Sequence, residues 1–401
     1  MRPRVFSVPS PASSSGRGAN YWHRSTLHPL SLRGESRREG ERQITPARPD
    51  TPCGTGRLNI AYGYKRLGRG HSLRIALVGD LHHYRIHCSP RQLLGKRLIG
   101  QTNLWLNRQF AFKHALLKPT LERVPLIKPD RILLTGDVTT TSLDHEFLDV
   151  VRLLRPLSDN FDVKLVPGNH DRYTFASARQ QRVEALMEHL LPPEFPHFEQ
   201  LSDHWHFLAL DAARPRLMLS CGRLGRHQLD RTRDYLASLT SDDGLLVLCH
   251  YPLSTPANVR PMAFNNRVSD GRALRRMLAQ CPARVVFLHG HIHRPWIYEP
   301  RSGDMKGVTF INAGAPCLTN ARYPGGQGFW QLDLPRYGRG DLRLTHHVPV
   351  PADPDAGRRL LLRQPRPDQL VWERRRVRRP APQSPTATSS PRGGQRILAR
   401  V

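Results

Sequence analysis

Paired thiols are missing from this chain. Its six cysteines, Cys53, Cys88, Cys221, Cys249, Cys281 and Cys317, are scattered and form no C-x-x-C pair. That pattern fits free thiols in a reducing compartment better than a disulfide framework or a cysteine-built zinc site. Long apolar runs are missing too, and none approaches the roughly 18 residues that span a bilayer. Residues 1–15 hold Arg2 and Arg4 but no apolar stretch of signal-peptide length. A cytoplasmic protein without a membrane span is therefore expected. Acidic residues are scarce, 33 against 61 basic ones, and the net charge is +28.

The basic excess sits mainly at the two ends. Residues 1–70 carry 13 basic and 4 acidic groups, 351–401 carry 12 and 4, and the middle is left with a net +11. These ends also hold Pro, Ser and Gly clusters, such as Pro9 to Gly16. Such segments bury too little apolar surface to offset chain entropy. Disordered basic extensions are expected over 1–70 and 351–401, flanking one domain at about 71–350. Basic arms suit nucleic acid or an anionic membrane surface. An arginine-rich composition with no such partner accounts for the same charge.

Inside that domain, short apolar runs alternate with helical periodicity. Leu73 to Gly79 reads as a strand covered on both faces and ends in Asp80-Leu81-His82. Residues 89–128 contain no strand-like run, and the spacing from Leu93 to Leu121 predicts a helical insertion. Arg131 to Gly136 is a second strand, ended by Asp137. Asp144 to Leu157 is an amphipathic helix with Phe147, Val150, Val151 and Leu154 on one face. A third run, Val163 to Val166, is stopped by Pro167-Gly168 and delivers Asn169-His170-Asp171 on a tight turn. Further helices are expected over 176–191, 227–239 and 271–280. Strands are expected over 205–210, 245–249, 284–288, 308–312, 328–334 and 342–346. This strand–site–helix rhythm predicts a layered α/β fold.

Polar residues collect at the strand ends: Asp80 and His82, Asp137, Asn169 and His170, His250, His291 and His293. In open α/β sheets that edge is where ligands bind. In an extended segment residues i and i+2 face the same way. Asp80 with His82, and His291 with His293, are thus each expected to present both side chains to one side. The set offers imidazole, carboxylate and amide but no thiolate, which suits Mn²⁺, Fe or Zn²⁺ over Ca²⁺ or Mg²⁺ alone. His83, His87, His204, His206 and His289 read as surface or supporting histidines, and Cys249 as strand core.

The order D-x-H (Asp80-Leu81-His82), G-D (Gly136-Asp137), G-N-H-D (Gly168-Asn169-His170-Asp171), His250 and G-H-x-H (Gly290-His291-Ile292-His293) resembles the calcineurin-like metallophosphoesterase superfamily. The resemblance implies a four-layer αββα sandwich of two mixed sheets, with two divalent metal ions at one end. Asp80, His82 and His293 would hold the first ion. Asn169, His250 and His291 would hold the second, with Asp137 bridging a pair of ions roughly 3.5–4 Å apart. A hydroxide shared by the ions would attack phosphorus in line. His170 would stabilise or protonate the leaving oxygen, with Asp171 orienting and charging its ring.

The implied activity is hydrolysis of a small-molecule phosphodiester or phosphomonoester. The motif forms look most like the bacterial cyclic-nucleotide phosphodiesterase-like branch. A metal-dependent nuclease is the alternative the positive charge favours, and a non-catalytic scaffold is a second, disfavoured by the complete set of ligand positions. Val138-Thr139-Thr140-Thr141 stands where many relatives carry a further Asp or Arg. The same stretch has no Tyr, unlike the purple acid phosphatase branch, and His170 separates the chain from the lipid A branch. Asn312-Ala313-Gly314-Ala315 follows a strand where relatives often line the site, and is a candidate for the substrate side.

Overall fold

Strands that are apolar on both faces must be covered on both faces. The computed structural model describes residues 72–84, 111–216, 220–256, 267–353, 367–377 and 396–400, all within one compact unit, Gly63–Val401. Strands β1 (Arg74–Val78), β2 (Arg131–Leu134) and β3 (Asp162–Leu165) run parallel in a first sheet. A second sheet begins with the antiparallel pair β4 (His197–Ser202) and β5 (Trp205–Leu210). It continues in parallel through β6 (Gly244–Cys249) and β7 (Arg284–His289). Next come β8 (Trp296–Glu299) and β9 (Thr309–Asn312), with β9 parallel to β7 and antiparallel to β8. The chain then returns to the first sheet with β10 (Phe329–Asp333), β11 (Arg343–Pro351) and β12 (Leu370–Arg376), all antiparallel. Finally β13 (Arg396–Arg400) edges the second sheet beside β8. The two mixed sheets are ordered β12-β11-β10-β1-β2-β3 and β13-β8-β9-β7-β6-β5-β4.

The helices among the described residues are α1 (Leu117–Arg123), α2 (Asp144–Ser158), α3 (Phe175–Arg179), α4 (Arg182–Met187), α5 (Arg226–Leu236) and α6 (Gly271–Gln280). Three apolar layers hold the stack together. Between the sheets, Leu77, Leu133 and Trp330 of the first pack with Trp205, Leu246 and Val286 of the second. Outside the first sheet, Leu121, Phe147, Leu154 and Met187 of α1, α2 and α4 cover Val78, Ile132 and Leu165. Outside the second, Leu236 and Leu274 of α5 and α6 cover Val247 and Phe287. The architecture is the expected αββα sandwich. No described helix is long and apolar enough to cross a membrane.

Local chemistry explains the element ends. Helix α2 starts where the Glu146 carboxylate turns back to accept from the amides of Leu143 (3.1 Å) and Thr141 (2.9 Å), meeting the N-cap donor and one amide of the preceding loop. The single helix expected over 176–191 is instead α3, α4 and a 3₁₀ turn, because Gln181 is left-handed (φ 47°). That break resets the helical phase and turns Val183 and Met187 into the core.

The expected domain end near 350 falls short. β12 pairs with β11 from Pro351↔Leu370 to Thr345↔Arg376, and β13 joins β8. As an edge strand β12 covers one face only, with Trp372 packed toward the core and charged residues between, so its pattern reads as polar tail. The expectation for 1–70, most of the tail, and the 89–110 part of the insertion lie outside the described residues. From 114 to 127 the insertion is helical as expected.

One ion cluster ties the sheets together at their β2–β4 side. Arg131 of β2, 5% exposed, donates to Glu199 of β4 at 2.8 and 2.6 Å and also bonds Asp162. Burial by itself would raise the Glu199 carboxyl, but bonds from His197 and Arg131 hold it down at about 2. Its stabilising contribution is therefore complete above the ordinary glutamate value of 4.5 and is lost as pH falls toward 2. Glu199→Gln should cost about 2 kcal/mol at neutral pH. Thermal unfolding at neutral and acidic pH checks this, and the gap between variant and wild type should narrow on acidification.

Candidate metal centre

The polar residues sit on turns at the carboxyl ends of the strands, and those turns are unusual. His82, Asp137, His291 and His293 all lie in the left-handed region, with φ of 47°, 48°, 67° and 52°. Non-glycine residues adopt it only when surrounding structure over-determines them. Here the turns lace one another: His82 N donates to Asp137 O (2.8 Å), Gly290 N to His250 O (3.0 Å) and Asp80 N to Gly314 O (3.1 Å). Asp80 with His82 and His291 with His293 do reach one side, but through left-handed turns and not through the pleat of an extended strand. Two motif glycines make room for the carboxylates. A Cβ on Gly168 would lie 2.1 Å from Oδ1 of Asp137, and one on Gly290 would lie 2.0 Å from Oδ1 of Asp80.

Two overlapping groups of donor atoms result. Asp80, His82, Asp137 and His293 place ligand atoms within 4.8 Å of one another, as do Asp137, His250 and His291. Asn169 joins the second group, its Oδ1 lying 3.2 Å from Nε2 of His250. Asp137 belongs to both groups. Its Oδ1 accepts from His170 N at 2.7 Å, whereas its buried Oδ2 has no hydrogen-bond donor. Nε2 of His250 lies 3.3 Å from that oxygen and Nε2 of His82 3.7 Å. Nδ1 of His250 meets Thr135 O at 2.8 Å, which leaves Nε2 to face the carboxylate. Elsewhere His82 and His293 face each other nitrogen to nitrogen at 2.8 Å, and His250 and His291 at 3.2 Å. Converging lone pairs with too few protons are what a cation relieves, so the residues fit a metal centre.

The electrostatics agree. Burial opposes ionisation of Asp137, yet His250 and then His170 draw its carboxyl well below the usual range. Burial also pushes His250 down, but Asp137 outweighs it and raises the ring to about 9. His291 is driven well below the ordinary histidine value, by burial first and then by His250. The site holds an anion that demands a nearby positive charge.

His170 and Asp171 divide differently from expectation. Nδ1 of His170 meets Thr140 O at 2.6 Å, and its ring stacks on Tyr173 at 5.3 Å. The Asp171 carboxylate spends its bonds on the turn, accepting from Gly168 N (2.9 Å), Thr139 N (3.0 Å) and Thr139 Oγ1 (3.1 Å). Burial, then the charge of Asp137, raises it to about 7. The expectation that Asp171 orients and charges the His170 ring is thus corrected: Thr140 orients the ring, and Asp171 braces the loop. The unexpected Thr139-Thr140-Thr141 run is that brace's other half.

Asn312 to Ala315 is fully buried and therefore does not line a substrate side. Asn312 Nδ2 donates to Gly290 O (3.0 Å) and Gly314 O receives Asp80 N, so the loop buttresses two metal turns. His289, buried and pushed down to about 3, is supporting as expected, and Cys249 is strand core.

Three contributors were missed from the sequence. Thr135 binds Asp80 through its hydroxyl (2.9 Å) and His250 through its carbonyl. Gln327 donates to His293 O at 3.0 Å. Phe112 packs edge-on against His82 and His293 at 5.0 and 5.6 Å. None carries a motif, because carbonyls, hydroxyls and apolar edges do this work from many residue types.

A model of calcineurin-like phosphoesterases matches residues 73–295, which include every one of the motif residues. Over 216 residues, 54% of this chain and 70% of the relative, the sequence is 30% identical to the 3',5'-cyclic adenosine monophosphate phosphodiesterase CpdA of Haemophilus influenzae. A solved dimetal phosphatase from Danio rerio is similar with a TM-score of 0.46 at 14% identity, covering 69% of this chain and 99% of that one. The purple acid phosphatase PPD1 from yellow lupin seeds gives 0.48 at 14% identity, covering 70% and 52%.

Gly290→Ala should push Asp80 off its place, since the added carbon overlaps a carboxylate that is fully buried. The expected outcome is destabilisation of about 1–3 kcal/mol together with a lower metal content, read by elemental analysis of the purified protein.

Proposed function

The chain belongs to the calcineurin-like phosphoesterase family, and from the site it builds we infer that it is a dinuclear enzyme whose substrate is a 3',5'-cyclic nucleotide. Hydrolysis of phosphoester bonds and dependence on metal follow from the family and the donor set. The observation that carries the dinuclear reading is Asp137, which is shared by both donor groups and keeps one buried oxygen without a hydrogen-bond donor. Asp80, His82 and His293 would hold one ion, Asn169, His250 and His291 the other, with Asp137 between them. Mn²⁺, Fe or Zn²⁺ there supplies Lewis acidity at the phosphoryl oxygens and a nucleophilic water at neutral pH.

The chain's own groups do the rest. With Nδ1 held by Thr140 O, His170 exchanges a proton only at Nε2, and that nitrogen would hydrogen-bond or protonate the leaving oxygen. Tyr173 and His82 pack on two sides of the ring and restrict its rotation. Asp171 acts on the reaction only through the turn that carries Asn169 and His170. Support for a cyclic nucleotide comes from the 30% identity to CpdA.

Turnover with added Mn²⁺ on bis-p-nitrophenyl phosphate, p-nitrophenyl phosphate, 3',5'-cyclic AMP and single-stranded DNA tests the substrate. Hydrolysis of the diester and the cyclic nucleotide but not of DNA is expected, and cleavage of DNA alone would make the enzyme a nuclease. Asp137→Asn should lower the content of both metals and abolish turnover; two metals retained at full activity would refute the bridging role. His170→Ala should keep both metals and slow hydrolysis by ~10²–10⁴-fold, most for esters with poor leaving groups. Loss of a metal in that variant would make His170 a ligand instead.

A further inference from the structure

The outer face of the first sheet has two ends, and only one serves the metal centre. Asp80 follows β1, while Arg74 begins it, six residues earlier and therefore about 20 Å away at ~3.3 Å per residue. Around Ala76 and Val78 this face is covered by helices. At the Arg74 end it opens into a cavity of about 910 Å³.

Strand register explains what lines that cavity. Arg74 stands opposite Asp333 of β10, which stands opposite Arg343 of β11. One rung on, Gln331 of β10, Thr345 of β11 and Arg376 of β12 are in line. Arg374, two residues before Arg376, shares its face. The turn Val124–Ile127 and the left-handed Lys128 wall the other side.

The charges there are unbalanced. Asp333 is already satisfied by Arg74 (2.6 Å) and Gln331 (2.8 Å). Among the described residues Lys128, Arg343, Arg374 and Arg376 make no ion pair, and the single further carboxylate of the cavity is Asp341. Basic residues on β12 alone would be ordinary protection of an edge strand. Arg343 lies on β11, inside the sheet, and Lys128 lies on a helical turn; neither protects an edge. Four cations from three separate elements converge on one concavity.

We propose that this cleft binds a small polyphosphate anion bearing three or four negative charges, the size of a nucleoside triphosphate. Its volume falls within the roughly 300–1,000 Å³ of small-ligand sites, and guanidinium groups suit phosphate oxygens through paired N–H donors. Leu126, 64% exposed at the rim, offers an apolar surface to a base. The site is separate from the metal centre and does not depend on the reaction proposed for it.

Calorimetric titration of the full chain with sodium tripolyphosphate, and separately with ATP, tests the assignment. Affinity should fall roughly tenfold for each cation removed, in Arg374→Gln and independently in Lys128→Gln, with unchanged melting temperatures and unchanged diester turnover. Because the two residues lie on different elements, a loss in both is not a local folding defect. Asp137→Asn should leave this binding intact. If that variant abolishes binding while the cleft variants keep it, the anion sits on the metals and the proposal fails. It fails equally if neither probe binds, or if a short single-stranded oligonucleotide binds more tightly than tripolyphosphate through the same residues, which would make the cleft a nucleic-acid surface.

Discussion

A fully buried carboxylate with too few donors is the constraint around which this protein is arranged. Asp137 is 1% exposed and sits in a left-handed turn. Taking such a charge out of water costs several kcal/mol unless partners compensate. His170 N satisfies one oxygen, while four imidazoles and a second buried aspartate complete the two donor groups that Asp137 shares. His250 and His170 hold its carboxyl down against burial, and its charge in turn raises His250 and helps raise Asp171. Two of its neighbours are thus shifted by that one charge.

The sandwich exists, in physical terms, to hold that charge still. Parallel strands bring their carboxyl ends to one edge, so β1, β2 and β3 of one sheet and β6 and β7 of the other each deliver a turn there. The left-handed residues on those turns would relax if they stood alone. Backbone bonds between successive turns, together with Thr135, Asn312 and Gln327 beneath them, remove that freedom. Rigidity of this kind places ligand atoms before a metal arrives, which is how a site gains affinity without paying ordering entropy on binding.

The opposite end of the first sheet shows what the fold does with charge when no such lacing is present. There Arg74 and Asp333 neutralise each other across the strands. The remaining basic groups project into an open cavity and stay solvated. One sheet therefore carries an anionic, buried, preorganised pole and a cationic, open one.

Much of this was legible in the chain by itself. The apolar runs made the layered class legible, and the polar residues at the strand ends stood out as the set that the fold gathers into two donor groups, because a donor must be a particular residue type. The helix over Gly271–Gln280 was legible for a similar reason: its periodicity is strong. Tertiary structure decided what depends on neighbours distant in sequence. It placed β12 and β13 in the sheets despite their polar patterns, split the helix at Gln181, and moved Asn312 from the substrate side to a buttress. It also gave Asp171 to the turn and the His170 ring to Thr140 O, since a carbonyl can come from any residue and leaves no mark in a sequence. The basic cleft belongs to that second class, because its cations meet only when register aligns β10, β11 and β12.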